Sequence, residues 1–248
     1  MEEIGYHQFT ELEHRHWWFV ARRRIFGHLL DSALAGPRPR TVLDVGCGAG
    51  GMLELLSRYG EVTGLDVDQE FVDFCHSRGF ANTLKGSAYE LPAADGSVDL
   101  ITLFDTLEHL SEDVDALRES RRALRPGGLV FLSSPAYRFL WTNNDEMAHH
   151  ERRYTAGELR AKLTDAGLAP IKVSYFNTIL FPLIVPALLA KQVKESFVDP
   201  SETTNLSHTP PPWLNRILAA VMGGERHLLS RRSFPTGHSL LALARRPL

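Results

Sequence analysis

A glycine-rich segment between an apolar run and a helical pattern constrains the fold of this sequence most. Apolar residues over positions 41–45 lead directly into Gly46-Cys47-Gly48-Ala49-Gly50-Gly51, and a helical pattern follows. Glycine lets the backbone turn tightly and approach a ligand closely, because it carries no Cβ. The helix after such a turn presents unpaired N–H groups to a ligand. The segment therefore predicts a strand–loop–helix unit that binds a ligand.

Short apolar runs continue to alternate with helical patterns along the chain. The runs have the length of buried strands and lie at Thr41–Val45, Val62–Asp66, Val98–Phe104 and Leu129–Ser133. The helical patterns between them lie at Leu53–Tyr59, at Gln69–Ser77 and from Ser111 to Leu124. This order predicts a parallel sheet with helices on both faces.

The flanking segments extend this α/β core. Thr10 and Glu13 form a capping-box pair ahead of an apolar stripe, which predicts an N-terminal helix. Thr155 and Glu158 form a second capping box and predict another helix. Two late strands are predicted at Lys172–Phe176 and His238–Ala244.

A long insertion separates these two late strands. It contains two apolar helical patterns, Thr178–Lys194 and Trp213–Ser230, joined by a predicted loop. Connections of this length usually have a function. Three interpretations are open: the helices form a lid over an apolar acceptor, lie on a membrane surface, or complete the core or a dimer contact.

The whole chain, 1–248, is predicted to form a single domain. Its parts are an N-terminal cap helix over 1–36, a core over 37–176, the helical insertion over 177–234 and a last strand over 235–248.

Composition excludes several classes of protein. Apolar residues make up 44% of the chain and charged residues 23%, which excludes a disordered protein, and the net charge of −3 creates no field that attracts nucleic acid. Cys47 and Cys75 form no disulfide framework, and no Cys or His set has ligand spacing, so we expect no metal. The most apolar stretch, Thr178–Ala190, is shorter than the roughly 20 residues of a membrane-spanning helix. We expect a cytoplasmic protein, since the first residues also lack a signal-peptide pattern.

Two acidic residues indicate which ligand the glycine loop binds. Asp66 ends the second strand, where its carboxylate can accept both hydroxyls of a ribose. Gly46, Gly48 and Gly51 fit a dinucleotide-binding pattern, so an NAD-dependent oxidoreductase is one alternative. Asp44, two residues before the first glycine, instead favours a cationic ammonium or sulfonium group. S-adenosylmethionine carries both cations and a ribose.

A series of motifs between Thr41 and Gly167 resembles the class I S-adenosylmethionine-dependent methyltransferases, in particular the type 11 branch. The motifs are Asp44–Gly50, Asp66-Val67, Gly86-Ser87-Ala88, Asp95–Ile101, Phe104–His109 and Leu124–Gly128. The resemblance implies a Rossmann-like, mostly parallel seven-stranded sheet with helices on both faces and a helical insertion before an antiparallel last strand. It also implies S-adenosyl-L-methionine as the cofactor.

The resemblance assigns cofactor contacts to residues of these motifs. They are Asp44, Gly46, Cys47, Gly48, Gly50, Asp66, Val67, Ser87, Ala88, Phe104 and Asp105. Asp66 would hold the ribose, and Val67 would pack on the adenine. The family often has aspartate at the position of Ser87, so here a hydroxyl or the Ala88 backbone must meet the adenine amino group.

The loop after the predicted strand Leu129–Ser133 concentrates aromatic, imidazole and guanidinium groups at the cofactor edge of the sheet. Its candidates for binding the acceptor are Tyr137, Trp141, Arg152, Arg153 and Tyr154. His150 is the candidate catalytic base, because an imidazole can accept a hydroxyl proton near neutral pH. The alternative is structural: His150 orders the loop and the arginines pair with its carboxylates. This loop and the N-terminal Trp17-Trp18-Phe19 resemble one subgroup of the family, which leaves the acceptor open.

The sequence thus predicts a methyltransferase with a small-molecule acceptor. The insertion favours an apolar or lipid-linked acceptor and raises the hypothesis of peripheral membrane contact through residues 178–230. A non-catalytic S-adenosylmethionine-binding protein is the second alternative. The methylated atom and the oligomeric state stay open.

Overall fold

Strands and helices alternate through most of the chain in the computed structural model, which describes residues 12–34, 36, 40–195 and 209–248. The strands are β1 (Thr41–Val45), β2 (Glu61–Asp66), β3 (Thr83–Lys85), β4 (Val98–Phe104), β5 (Leu124–Pro135), β6 (Ala169–Phe176) and β7 (Ser239–Arg245). The helices are α1 (Trp17–Ala33), α2 (Leu53–Leu56), α3 (Gln69–Ser77), α4 (Asp113–Ala123), α5 (Asn143–Met147), α6 (Ala156–Asp165), α7 (Phe181–Glu195), α8 (Pro212–Gly224) and α9 (Arg226–Leu229).

Within the described residues, the seven strands form one sheet in the order β3-β2-β1-β4-β5-β7-β6. The first five strands along the chain pair in parallel, and β7 runs antiparallel between β5 and β6. The predicted fold class and the antiparallel last strand are confirmed.

The strand order reverses between β1 and β4. The chain moves outward from β1 to β2 and β3, then returns to place β4 on the other side of β1. Both strands are almost wholly buried, because helices cover both faces of the sheet. A crevice opens at the carboxyl ends of strands where the order reverses, and this is where such sheets bind ligands.

Most differences from the predicted elements lie at their ends. β5 begins at Leu124 rather than Leu129, because a register shift beside Val98 lets the strand include Pro126-Gly127. The short strand β3 and the helix α5 have no clear pattern in the sequence. The capping box of Thr155 and Glu158 is confirmed, whereas Thr10 lies outside the described residues.

The described part of the insertion is attached to the rest of the domain by hydrogen bonds. Glu225 divides the second predicted helix into α8 and α9, and its carboxylate accepts the backbone N–H groups of Thr178 and Ile179 at 2.7 and 2.8 Å. Asn215 on α8 accepts the N–H of Trp17 at 2.8 Å, which attaches α8 to α1. On α7, Gln192 donates to the backbone carbonyl of Trp141 at 2.6 Å.

In the part of the chain that the structure describes, no helix combines the length and the apolar character needed to cross a membrane. Leu183 on α7 and Trp213 on α8 are exposed apolar side chains. The hypothesis of membrane-surface contact stays a prediction.

A cluster of four aromatic rings joins α1 to the sheet. Phe26 is fully buried, and its ring centroid lies 4.7 Å from that of Phe104, 4.9 Å from that of Phe131 and 5.6 Å from that of Phe176. These rings belong to β4, β5 and β6, so one side chain fixes the helix against three strands. The predicted apolar stripe of the N-terminal helix therefore faces the core.

We expect Phe26→Ala to lower the free energy of unfolding by about 3–5 kcal/mol, because it leaves a cavity between α1 and the sheet. Urea denaturation followed by circular dichroism measures this change. The matched control is Phe139→Ala, since the Phe139 side chain is 56% exposed. Equal losses in the two variants would contradict the role of the aromatic cluster.

Candidate active site

The glycine loop follows β1 and has a backbone that only glycine adopts without strain. Gly46, Gly48 and Gly50 have φ values of 70°, 51° and 81°. A Cβ at Gly46 would also lie 2.5 Å from the side chain of Thr106. The glycines therefore let the loop backbone pack closely against Thr106 at the crevice between β1 and β4.

Asp66 lies beside this loop at the end of β2. Its carboxylate accepts the N–H of Gly48 at 2.8 Å and that of Asp68 at 3.0 Å. Burial raises the pKa of Asp66, and these hydrogen bonds to the ionised form act in the opposite direction. The next residue, Val67, is 72% exposed, so it offers an apolar surface next to the carboxylate.

A cavity of about 420 Å³ opens in front of the glycine loop. From the predicted cofactor set, the residues that line it are Asp44, Gly46, Cys47, Gly48, Phe104 and Asp105. The members of that set outside the lining are Gly50, Asp66, Val67, Ser87 and Ala88. The Asp66 carboxylate still contacts the loop, because it accepts the N–H of Gly48. The Ser87 hydroxyl instead accepts the N–H of Tyr89 at 3.2 Å, which is a local contact away from the loop.

Asp44 brings a buried carboxylate to the wall of the cavity. Thr102 on β4 is paired with Asp44, and its hydroxyl donates to the Asp44 carboxylate at 2.5 Å. Burial raises the pKa of Asp44 to about 7, which means that the ionised form lacks a sufficient partner. A cationic ligand group in the cavity would supply that partner.

Helix α1 lines the cavity together with the glycine loop. Arg22 reaches across and forms an ion pair with Asp105, whose carboxylate also accepts the Ser133 hydroxyl at 2.9 Å. Trp18 stacks on Phe176 with a centroid distance of 5.8 Å and lines the same cavity. The N-terminal helix is thus a wall of the site.

His150 and Arg153 reach the cavity from the loop after β5, and both are held by Asp145. The Asp145 carboxylate accepts Nε of Arg153 at 2.7 Å and Nη2 at 2.9 Å, and its Oδ1 lies 2.9 Å from Nδ1 of His150. Despite burial, these partners hold the pKa of Asp145 well below its usual range. The guanidinium of Arg153 is therefore already engaged, and the Nε2 edge of His150 is left for a ligand.

The other four candidate acceptor contacts lie outside the cavity, because their polar groups have partners elsewhere. The ring of Tyr137 stacks on Tyr175 and its hydroxyl bonds Thr236, while the indole N–H of Trp141 donates to Glu146. Arg152 pairs with Asp113 and Glu151, and the buried hydroxyl of Tyr154 donates to the same Asp113 at 2.7 Å. None of the described residues of the insertion lines the cavity either, so they do not form a lid over it.

The lining of the cavity also includes residues that the sequence did not single out as site residues, among them Glu108, His109 and His238. Glu108 is fully buried, and burial together with the nearby Asp105 raises its pKa well above the usual range. Burial lowers the pKa of His238 to about 4, so this imidazole is neutral at physiological pH. Glu108-His109 stands inside a recognised motif, but His238 comes from the distant start of β7 and has no signal in the sequence.

A family model described as a methyltransferase domain matches residues 43–132. A ubiquinone biosynthesis O-methyltransferase from Xanthomonas oryzae is 30% identical over 190 residues, which cover 74% of this chain and 70% of that protein. This chain belongs to the class I S-adenosylmethionine-dependent methyltransferases. Its sheet order and glycine loop agree with that assignment.

A second relative and a solved structure are also similar to this chain. A probable S-adenosylmethionine-dependent methyltransferase from Mycobacterium tuberculosis is 29% identical over 171 residues, which cover 67% of this chain and 61% of that protein. A methyltransferase structure from Haloferax volcanii, in complex with the Trm112 methyltransferase activator, aligns with a TM-score of 0.60 and 21% identity. That alignment covers 99% of this chain and 96% of the other, and it shows a shared fold.

Membership of this family identifies S-adenosyl-L-methionine as the cofactor and decides against NAD. The residues of the site fit this cofactor. Gly46, Gly48 and Gly50 let the loop backbone approach it closely, Asp66 can accept ribose hydroxyls, and the buried carboxylate of Asp44 lacks a sufficient partner for its charge. We expect the Asp44 carboxylate to face the positive charge of the cofactor.

We expect Asp44→Asn to raise the free energy of unfolding of the ligand-free protein near pH 7, by an amount on the order of a kcal/mol. Because the folded-state pKa lies above the unfolded value of 3.8, this carboxyl makes stability fall as pH rises from about 4 to 7. Asparagine keeps the acceptor for Thr102 and carries no charge. Urea denaturation across this pH range measures the effect.

The same variant should bind S-adenosylmethionine more weakly, which calorimetry measures. A variant that is less stable than wild type at pH 7, or that binds the cofactor equally well, would contradict this role of Asp44.

Proposed function

We propose that this protein transfers the methyl group of S-adenosylmethionine to a hydroxyl oxygen of a small, partly apolar molecule. The observation that carries the proposal is the imidazole of His150, with Nδ1 fixed by Asp145, beside Glu108 in the same cavity as the glycine loop. A hydroxyl acceptor is the class that needs a proton acceptor during methyl transfer. The O-methyltransferase activity in the name of the Xanthomonas relative supports the same class.

Three groups of this chain would hold the cofactor. Asp66 would accept the ribose hydroxyls, Val67 would contact the adenine, and Asp44 would face the cationic methionine part. When bound, S-adenosylmethionine supplies a methyl group on a sulfonium, which is already activated for displacement. The protein therefore mainly aligns the acceptor and excludes water.

The acceptor would lie between α1 and the loop after β5. Trp18 and Phe104 offer apolar walls there, and His150 and Glu108 offer polar groups. Asp145 holds Nδ1 of His150 and keeps the ring in one orientation, so Nε2 can receive the acceptor proton. The mixed lining favours a partly apolar acceptor with a hydroxyl group, and the described insertion residues contribute no surface for a lipid chain.

We expect Asp66→Ala to weaken the binding of S-adenosylhomocysteine by roughly 1–3 kcal/mol, the cost of losing charge-assisted hydrogen bonds. Titration calorimetry measures this loss. Tight binding of NADH without binding of S-adenosylhomocysteine would contradict the assigned cofactor site.

We expect His150→Ala to lower kcat by about 10²–10⁴-fold while the affinity for S-adenosylhomocysteine stays near that of wild type. The assay measures S-adenosylhomocysteine formation with a panel of phenols that carry apolar substituents. His149→Asn is the matched control, because His149 is an exposed neighbour outside the cavity with a φ of 56°, which asparagine tolerates.

Two outcomes would overturn the proposal. Cofactor binding without turnover of any hydroxyl acceptor would indicate a non-catalytic binding protein. Turnover at wild-type rates in His150→Ala would remove the imidazole from the chemistry and leave alignment by the cavity as the mechanism.

A further inference from the structure

We propose that Glu108, His109 and His150 form a site for one divalent transition-metal ion of the zinc class. In the part of the chain that the structure describes, one donor atom from each of these residues lies within 4.8 Å of the other two. The two imidazole centroids are 4.7 Å apart with their planes at 79°. Donors around an ion at about 2.0–2.2 Å are roughly 3–3.5 Å apart, so binding requires only a small inward movement of the side chains.

Glu108 supplies the independent evidence for a missing ligand. Its side chain is fully buried on the short 3₁₀ turn Leu107–His109, and neither carboxylate oxygen has a partner in hydrogen-bond geometry. Ser134 lies nearby, but its hydroxyl has no such partner either. A buried carboxylate without a partner is costly, and a bound cation would provide one.

His150 is already held as metal-ligating histidines usually are. Its Nδ1 lies 2.9 Å from Oδ1 of Asp145, and Arg153 fixes that carboxylate through two further hydrogen bonds. A carboxylate behind an imidazole sets the tautomer and the direction of the other ring nitrogen. Nε2 of His150 is therefore the nitrogen available to a metal ion.

The surrounding charges permit a cation at this position. Of the three guanidinium groups that line the cavity, Arg22 pairs with Asp105 and Arg153 with Asp145, and Arg23 donates to the backbone carbonyl of Glu13. One carboxylate and two imidazoles suit zinc, cobalt, manganese or iron, whereas magnesium and calcium prefer oxygen ligands alone. Three protein ligands also leave at least one coordination position open toward the cavity.

This placement gives the ion a role, which rests on the proposed function. A metal ion with an open position would bind the acceptor hydroxyl and lower its pKa, so that the oxygen would release its proton to solvent water near neutral pH before it takes the methyl group. With the ion bound, His150 is a ligand, and activation of the acceptor passes from the imidazole to the ion. The binding of the ion itself depends only on the cluster.

Cobalt(II) titration of the chelator-treated full chain tests the site without any turnover. We expect visible absorption bands that saturate at one equivalent and disappear when zinc is added. Glu108→Gln and His150→Gln should each weaken cobalt binding by more than tenfold, and Asp145→Asn by about 10–100-fold. His149→Asn should bind as wild type does, since its side chain is exposed and outside the cluster.

Calorimetry with S-adenosylhomocysteine shows whether each variant keeps a folded cavity. The absence of cobalt bands would overturn the site. Equal cobalt binding by wild type, Glu108→Gln and His150→Gln would also overturn it, and would indicate binding to surface histidines such as the His28–His227 pair. Cobalt binding without methyl transfer would contradict the proposed function and leave the site intact. Methyl transfer without cobalt binding would contradict the metal site and leave the proposed function intact.

Discussion

The parallel pairing of β1 with β4 is the constraint on which the rest of the site depends. It aligns Asp44 with Thr102 and brings the glycine loop after β1 next to Asp105 after β4. Because both strands are buried on both faces, their carboxyl ends are fixed by the core and not by the ligand. Asp105 has a φ of 54°, a strained backbone for a residue other than glycine, which the surrounding structure holds in place.

Helix α1 converts this open edge of the sheet into a cavity. Phe26 anchors the helix in the core, and Trp18 and Arg22 on the same helix line the cavity together with the glycine loop. Asn215 of the insertion in turn fixes the start of α1. The insertion therefore contributes to the active site indirectly, by holding α1 in place.

Local patterns predicted the part of the site that is local in sequence. A strand followed by glycines specifies the loop, and a carboxylate at the next strand end specifies the position of Asp66, since both depend on neighbours along the chain. Periodicity also predicts the helices of the insertion, but it does not tell which surface covers their apolar faces. Of the three open interpretations, a lid is the one that the described residues do not support, because none of them lines the cavity.

Residues that meet only in the fold could not be assigned in this way. Arg152 and Tyr154 resemble acceptor contacts in the sequence, yet both turn to Asp113 at the start of α4. His150 and the Glu108-His109 pair come from different loops, so no ligand spacing connects them and the sequence predicts no metal. Partner choice among polar side chains depends on tertiary distances, which spacing along one chain does not contain.

The most direct test of the account is a crystal structure of the protein with S-adenosylhomocysteine. We predict that the ribose hydroxyls bind the Asp66 carboxylate, that the amino group lies on the Asp44 side of the glycine loop, and that the sulfur faces Glu108 and His150. A ribose bound away from Asp66, or a sulfur directed away from Glu108 and His150, would contradict the account.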